Sequence, residues 1–203
     1  MDITKYEKEL YINKLYNIAG VDEVGRGPLF GPVVAACVVM PREFEMNGIN
    51  DSKKLSAKKR KELSLYIKEN AIAYSIIEID ESIIDEVNIY QATKLAMLKS
   101  IDEVNKKIKL DHVLIDAMKL ELDIPSTSII KGDSKSISIA AASIIAKVYR
   151  DELMEKVDLE YPMYGFKNHK GYPTKKHIEA INEYGLIKGY RKSYKPICDI
   201  ISE

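Results

Sequence analysis

Cysteine is scarce: the 203 residues contain two, Cys37 inside an apolar run and Cys198 near the end. Thiols so far apart supply neither a disulfide framework nor the paired spacing of a thiolate metal site. Reduced thiols in a cytoplasmic protein are therefore expected. Net charge is lacking as well, because 31 lysines and arginines balance 31 aspartates and glutamates. That balance gives no sign of a nucleic-acid partner, so any such sign must be local. Nothing reaches the roughly 18 consecutive apolar residues of a membrane span. Residues 1–17 are charged and tyrosine-rich, without the apolar centre of a secretory signal, and no membrane attachment is expected. Only three histidines occur, and no histidine–cysteine set suggests zinc. Neither internal repeats nor a low-complexity linker interrupts the chain.

What is present can fold. Hydrophobic residues make up 46% of the chain, enough for a core, and 31% charged residues keep it soluble. The length suits a single domain spanning 1–203. Residues 2–16 read as a short amphipathic helix, 17–24 and 32–40 as strands, and 41–52 as a loop. Helical spacing over 56–70 puts Leu63, Tyr66 and Ile67 on one face, with Ser56 as N-cap. A third strand is expected at 71–79 and a short helix at 80–87. A long helix follows at 89–108, with Ala92, Leu95, Ala96, Leu98 and Ile101 inward. Further strands are expected at 112–116 and 126–130, and an alanine-rich helix at 138–157. A last helix, 174–184, is capped by Thr174 and stopped by Gly185. Early strands followed by helix–strand alternation imply an α/β fold with a mixed central β-sheet flanked by helices. Its core covers about 17–160, and 161–203 forms a basic, tyrosine-rich helical extension.

One stretch, AGVDEVGRGP at 19–28, joins two carboxylates to a glycine-flanked arginine. The run Gly25 to Gly31 superficially matches a dinucleotide fingerprint, which requires a helix to open directly after its first glycines. Here Pro28 and Pro32 bracket the loop, the third glycine falls one residue late, and Val33 to Val39 reads as strand. A dinucleotide site is excluded. The glycines instead leave backbone amides open to close approach by a ligand, with the Arg26 fork at the same spot.

Four acids stand where an acid is costly. Successive strand residues face opposite ways, so one of Asp22 and Glu23 must point toward a core face. A buried carboxylate needs a partner or a metal. Asp116 ends the apolar run HVLID, and Asp133 precedes the alanine-rich helix. For Asp116 an ordinary turn is the alternative, and for Asp133 a helix cap or turn. If these acids converge, they require a cation, and hard oxygen ligands select Mg2+ or Mn2+. Such clusters serve two-metal phosphoryl transfer.

Positive charge is concentrated at 51–61, 167–176 and 188–195. For Lys58 to Lys61 an exposed helix face is the competing reading. The other two tracts interleave Tyr172, Tyr190 and Tyr194 with basic residues, a mixture suited to phosphate contact and stacking. His169 and His177 read as substrate-side or surface residues.

Together these residues resemble type 2 ribonuclease H, in its bacterial ribonuclease HII form. The matching stretches are AGVDEVGRGPLFGPV, NDSKKLS, VLIDA, KGDSKSISIAAASIIAKVYRD and YGFKNHKGYPT, in the expected order from Ala19 to Thr174. The resemblance implies an RNase H-like fold and endonucleolytic cleavage of RNA in RNA–DNA hybrids. It also implies cutting 5′ of single ribonucleotides embedded in duplex DNA, leaving a 3′-hydroxyl and a 5′-phosphate. Asp22, Glu23, Asp116 and Asp133 match the family's metal-site acids, for Mg2+ or Mn2+. Gly25, Arg26 and Gly27 match its sensor of the ribose 2′-hydroxyl. Tyr172 matches the tyrosine that stacks on the neighbouring deoxyribose, and Lys53 and Lys54 lie in a segment that approaches substrate phosphates. Phe30 stands where many relatives carry a smaller residue. About 18 residues precede the first strand, too few for the added N-terminal domain usual in ribonuclease HIII. A monomer is expected. A non-catalytic nucleic-acid-binding protein and a DNA nuclease of the same fold are the rival readings.

Overall fold

The computed structural model describes residues 2–44 and 56–202. A five-stranded sheet is its centre. The strands are β1 (Ile18–Val24), β2 (Val33–Val39), β3 (Ala73–Ile79), β4 (His112–Asp116) and β5 (Ser126–Ile129), in the order β3-β2-β1-β4-β5. β1 pairs antiparallel with β2, and β2 with β3, while β1–β4 and β4–β5 are parallel. The mixed sheet flanked by helices is thus as expected.

Every residue of β2 is buried, because helices cover both faces. The period of two divides its side chains. Val33, Ala35, Cys37 and Val39 pack with Ala92, Ala96, Met97 and Ile101 of α3 (Glu81–Lys107). Val34, Ala36 and Val38 pack with Leu63 and Ile67 of α2 (Ala57–Asn70), and with Ala141, Ala142 and Ile145 of α4 (Ile137–Glu160). The alanine-rich start of α4 follows from close approach to β1. A Cβ on Gly20 would fall 2.0 Å from the Ser138 carbonyl carbon, so neither partner has room for a larger residue.

The two helices expected at 80–87 and 89–108 are one element broken at Asn88, whose φ is 68°. The Asn88 side chain accepts from the amides of Tyr90 and Gln91 and restarts the helix. On its inner face Met97 is buried and Leu98 only half-buried, so that part of the expected stripe is shifted by one residue. The N-terminal helix α1 covers only Lys5–Ile12, and α4 runs three residues past the expected 157. Most of the loop expected at 41–52 lies outside the described residues.

The C-terminal segment adds α5 (Phe166–His169), α6 (Lys175–Tyr184) and α7 (Ile197–Ser202). Of these, α5 and α7 lack a sequence signature because each is barely longer than a turn. This segment shares an apolar cluster with the loop after β1: Leu29 and Phe30 meet Met154, Tyr164, Phe166 and Tyr190. Among the described residues, no helix is long and apolar enough to cross a membrane.

Candidate active site

Parallel pairing carries β1 and β4 side by side to their C-terminal ends, with Val21 opposite Ile115. The next residues are Asp22 and Asp116. Asp116 Oδ1 accepts from the Gly132 amide at 2.6 Å, which ties β4 to the one-turn 3₁₀ helix Gly132–Ser134 that holds Asp133. Asp22, Glu23, Asp116 and Asp133 therefore line one cavity of about 430 Å³, together with Arg60, Ser143 and Lys147. The cap alternative for Asp133 fails, since Ser136 caps α4 by accepting from the Ile139 amide.

The cavity strains its acids. Burial pushes the Asp22 carboxyl well above its ordinary range, and the charges of Glu23 and Asp116 add to the rise. Ser143 and the Glu23 amide, at 2.7 Å, oppose it by hydrogen bonding. Glu23 is also raised, by burial first; Arg26 lowers it and Asp116 raises it. Glu23 Oε1 faces Arg26 at 3.4 Å, whereas Oε2 is buried without a hydrogen-bond partner. Among the described residues, no three acids, histidines or cysteines are drawn together tightly enough to hold a metal ion between them. The shared cavity is the better guide, because carboxylates turn about single bonds while strand positions are fixed. The donor set fits a hard divalent cation: oxygen ligands only, mutually repelling, one oxygen buried and unserved.

Beyond Glu23 the chain enters the glycine–arginine loop. Gly25 has φ +91°, and a Cβ there would lie 2.2 Å from Arg150 Nε. Arg26 and Gly27 are exposed, and Tyr172 stands beside Gly27, with its Cε1 3.3 Å from where a Cβ would be. The structure thus brings Gly25, Arg26, Gly27 and Tyr172 together next to the acids. Lys53 and Lys54 lie outside the described residues.

Two arginines that the sequence reading missed hold this loop. Both are fully buried. Arg191 donates to the carbonyls of Gly25 (2.6 Å), Arg26 (2.9 Å) and Gly31 (2.8 and 3.0 Å), and to the Tyr194 hydroxyl (3.2 Å). Arg150 donates to Phe30, Pro32 and Lys170 carbonyls. Burial brings Arg150 down to about 10, so it stays charged at neutral pH. Helical period offered one clue: Ala142, Ala146, Arg150 and Met154 recur every four residues on one buried face.

Several basic-tract readings need correction. Arg191 is a clamp inside the protein, not a phosphate ligand. Tyr190 is 3% exposed and lies in the apolar cluster, so it offers no stacking surface. Tyr194 donates its hydroxyl to the Arg26 carbonyl at 2.7 Å. His177 is fully buried, stacked on His169 at 4.1 Å. Tyr190 is drawn inward by Phe30, whose ring it meets edge-on at 5.0 Å.

Comparison with known proteins agrees with this fold. The ribonuclease HII family model matches residues 19–196. Ribonuclease HII of Bacillus mycoides is 54% identical over 203 residues, all of this chain and 78% of its own length. Ribonuclease H2 of Pyrococcus horikoshii superposes with a TM-score of 0.77 at 25% identity, covering 92% of this chain and 97% of that one. Bst-RNase HIII in complex with Mn2+ shares the fold, with a TM-score of 0.70 at 19% identity, over 92% of this chain and 69% of its own.

Proposed function

The chain belongs to the ribonuclease HII family, and from that premise we propose that it also cuts duplex DNA 5′ of single embedded ribonucleotides. The family consists of ribonucleases H, hydrolases that cleave RNA endonucleolytically in RNA–DNA hybrids. The observation that carries the finer reading is the cavity shared by four acids beside an exposed glycine–arginine loop.

In this reading Asp22, Glu23, Asp116 and Asp133 would hold Mg2+ or Mn2+. The two-ion form of such a site supplies an activated water and stabilises the leaving oxygen in phosphodiester hydrolysis. The Mn2+ complex of Bst-RNase HIII, which has the same fold, supports a divalent cation. Arg60 and Lys147 line the cavity and place positive charge against the phosphate. Backbone groups of Gly25 and Gly27, with Arg26, examine the ribose 2′-hydroxyl. This is the group that separates a ribonucleotide from its DNA neighbours. Tyr172 stacks on the adjoining deoxyribose, and Lys53 and Lys54 approach phosphates. The products carry a 3′-hydroxyl and a 5′-phosphate. The enzyme acts as a cytoplasmic monomer in removing ribonucleotides from DNA; its free thiols, Cys37 and Cys198, suit a reducing compartment.

The test is single-turnover cleavage of matched DNA duplexes carrying a ribo-, deoxyribo- or 2′-O-methyl nucleotide at one position, with Mg2+, Mn2+ or chelator. Cutting is expected only at the ribonucleotide and only with metal. A site built to bond a hydroxyl rejects the deoxy analogue by roughly 10⁴–10⁵. Comparable cutting of the ribo and deoxy duplexes refutes the proposal.

A further inference from the structure

The two stacked histidines beside Tyr172 are the most constrained polar groups outside the cavity. His177 Nδ1 lies 2.9 Å from the Tyr172 carbonyl, and its Nε2 lies 2.9 Å from the Tyr190 hydroxyl. His169 Nε2 lies 2.8 Å from the Tyr164 carbonyl, and its Nδ1 is 3.1 Å from the Gly171 amide. A carbonyl has no proton to give, so each ring must carry its proton on the nitrogen that faces one. His177 is therefore protonated on Nδ1 and His169 on Nε2. The bare nitrogens then accept from Tyr190 O–H and Gly171 N–H. A second proton on His169 would set N–H against N–H. On His177 it would force the Tyr190 hydroxyl to turn from donor to acceptor and would bury a cation stacked on the His169 ring at 4.1 Å.

These bonds join three separate pieces of chain. Tyr190 bridges to Phe30 in the loop after β1, and the Gly171 carbonyl accepts from the Leu29 amide of the same loop at 2.8 Å. Tyr172 hangs between them, its ring beside Gly27. We propose that His169 and His177 form a neutral, oppositely protonated pair that positions Tyr172 against the glycine–arginine loop. The pair thereby sets the preference for an RNA–DNA junction. This last step rests on the assignment of Tyr172 to the neighbouring deoxyribose.

The surrounding groups favour neutrality. Of the acids, Asp158 on α4 acts on His169, but it is engaged by the Lys167 amide at 3.0 Å and its ammonium at 3.6 Å. Lys170 beside the pair is tied to Glu155. Tyr164, Tyr172 and Tyr190 present carbonyls and one hydroxyl, none of them charged. Burial holds both imidazoles below their ordinary range, His177 at about 4.

The experiment uses nitrogen-15 NMR of the full chain together with junction cleavage. Ring signals at neutral pH should report two neutral histidines with the tautomers given above. The Gly27 amide resonance serves as a reporter of the Tyr172 ring. His177→Asn keeps a donor at the Nδ1 position, whereas His177→Gln puts its amide toward Tyr190 and leaves Tyr172 without that donor. His177→Gln should move the Gly27 resonance and lower junction preference at least about fivefold, the low end of one aromatic stacking contact. His177→Asn should restore both. Tyr190→Phe, a milder change, should mix the His177 tautomers and shift Gly27 in the same direction. Imidazolium signals at neutral pH, reversed tautomers, or a Gly27 resonance unmoved in both His177→Gln and Tyr190→Phe would overturn the positioning role. If Tyr172→Ala keeps full junction preference, the stacking assignment falls and with it the claim on specificity. The NMR readouts then decide positioning alone.

Discussion

Arg191→Met removes a guanidinium and keeps an unbranched side chain of similar length. Arg191 makes five hydrogen bonds, four of them to the carbonyls of Gly25, Arg26 and Gly31. A bond from a charged donor contributes about 1.5–3 kcal/mol, so the five sum to roughly 7–15 kcal/mol. Against this, methionine avoids burying a cation without an acid, which costs several kcal/mol. The hydrogen bonds win, because the Gly25 and Gly31 carbonyls stay buried and lose this donor, while the Arg26 carbonyl retains one from Tyr194. A net loss of about 3 kcal/mol is expected, or roughly 6–12 °C in melting temperature for a chain of this length. Activity should fall further than stability. Measured well below the melting point of the variant, single-turnover cleavage at an embedded ribonucleotide should drop by at least about a hundredfold, the scale of a misplaced recognition group. Arg191→Lys should lose most of the same stability, because a point ammonium cannot reach all three carbonyls at once. Arg191→Met melting within about 1 °C of the parent and cutting at the parent rate would refute the clamp.

Asp116→Asn keeps an acceptor for the Gly132 amide but removes the charge. Turnover should fall at least about a thousandfold, while hybrid binding in a gel-shift assay is retained; near-normal turnover removes Asp116 from the site. Asp133→Asn should abolish most cleavage with the metal-free melting temperature level or higher, since Ser136 does the capping. Ser136→Ala is the contrast, with an expected cost of about 1 kcal/mol; a larger stability loss in Asp133→Asn than in Ser136→Ala would reverse the two roles. His177 is held at about 4, against 6.5 when unfolded. Between those values the unfolded chain binds the proton and the folded chain does not. Stability therefore rises with pH across that window, by about 3 kcal/mol in all, and is complete above it. Urea midpoints of His177→Asn should lose that share of the slope, and an unchanged slope excludes His177 as its source.

The parts of the fold that were legible in the sequence had local causes. Ser56 and Thr174 were readable as caps because each is a hydroxyl just ahead of a helical stripe, and each accepts from the amide three residues on. β2 was readable because a strand covered on both faces needs an unbroken apolar run. Asp22, Glu23, Asp116 and Asp133 stood out because acids at the end of apolar strands, or at the mouth of an apolar helix, conflict with local burial. Such conflicts mark function more often than error. Arg150 and Arg191 were not legible, since all of their carbonyl partners but Lys170 lie 118 to 166 residues away in the chain. A backbone acceptor has no residue type, so it leaves no pattern. Tyr190 and His177 failed for a related reason: their basic neighbours dominate the composition, while their own burial depends on a contact with Phe30 and Tyr172.

That pattern of failure explains why carboxylates and arginine adjoin at 22–26. Asp22, Glu23 and Asp116 sit near strand ends fixed by the sheet, and the Gly132 amide bonded to Asp116 brings the turn that holds Asp133 beside them. The loop that follows has no such support: it covers residues 25–32, between β1 and β2, and needs φ +91° at Gly25 and +81° at Gly31. A loop of this kind wanders unless its carbonyls are taken up. Arg191 and Arg150 take them up from the C-terminal segment and from α4, the helix that also carries Ser143 and Lys147 to the cavity. The Leu29 and Gly31 amides are bonded to the Gly171 and Gly189 carbonyls, and the exposed Arg26 side chain is left 3.4 Å from Glu23. Under the proposed function the two buried arginines hold recognition in register with chemistry, and shifting either should move the loop while leaving the acids in place.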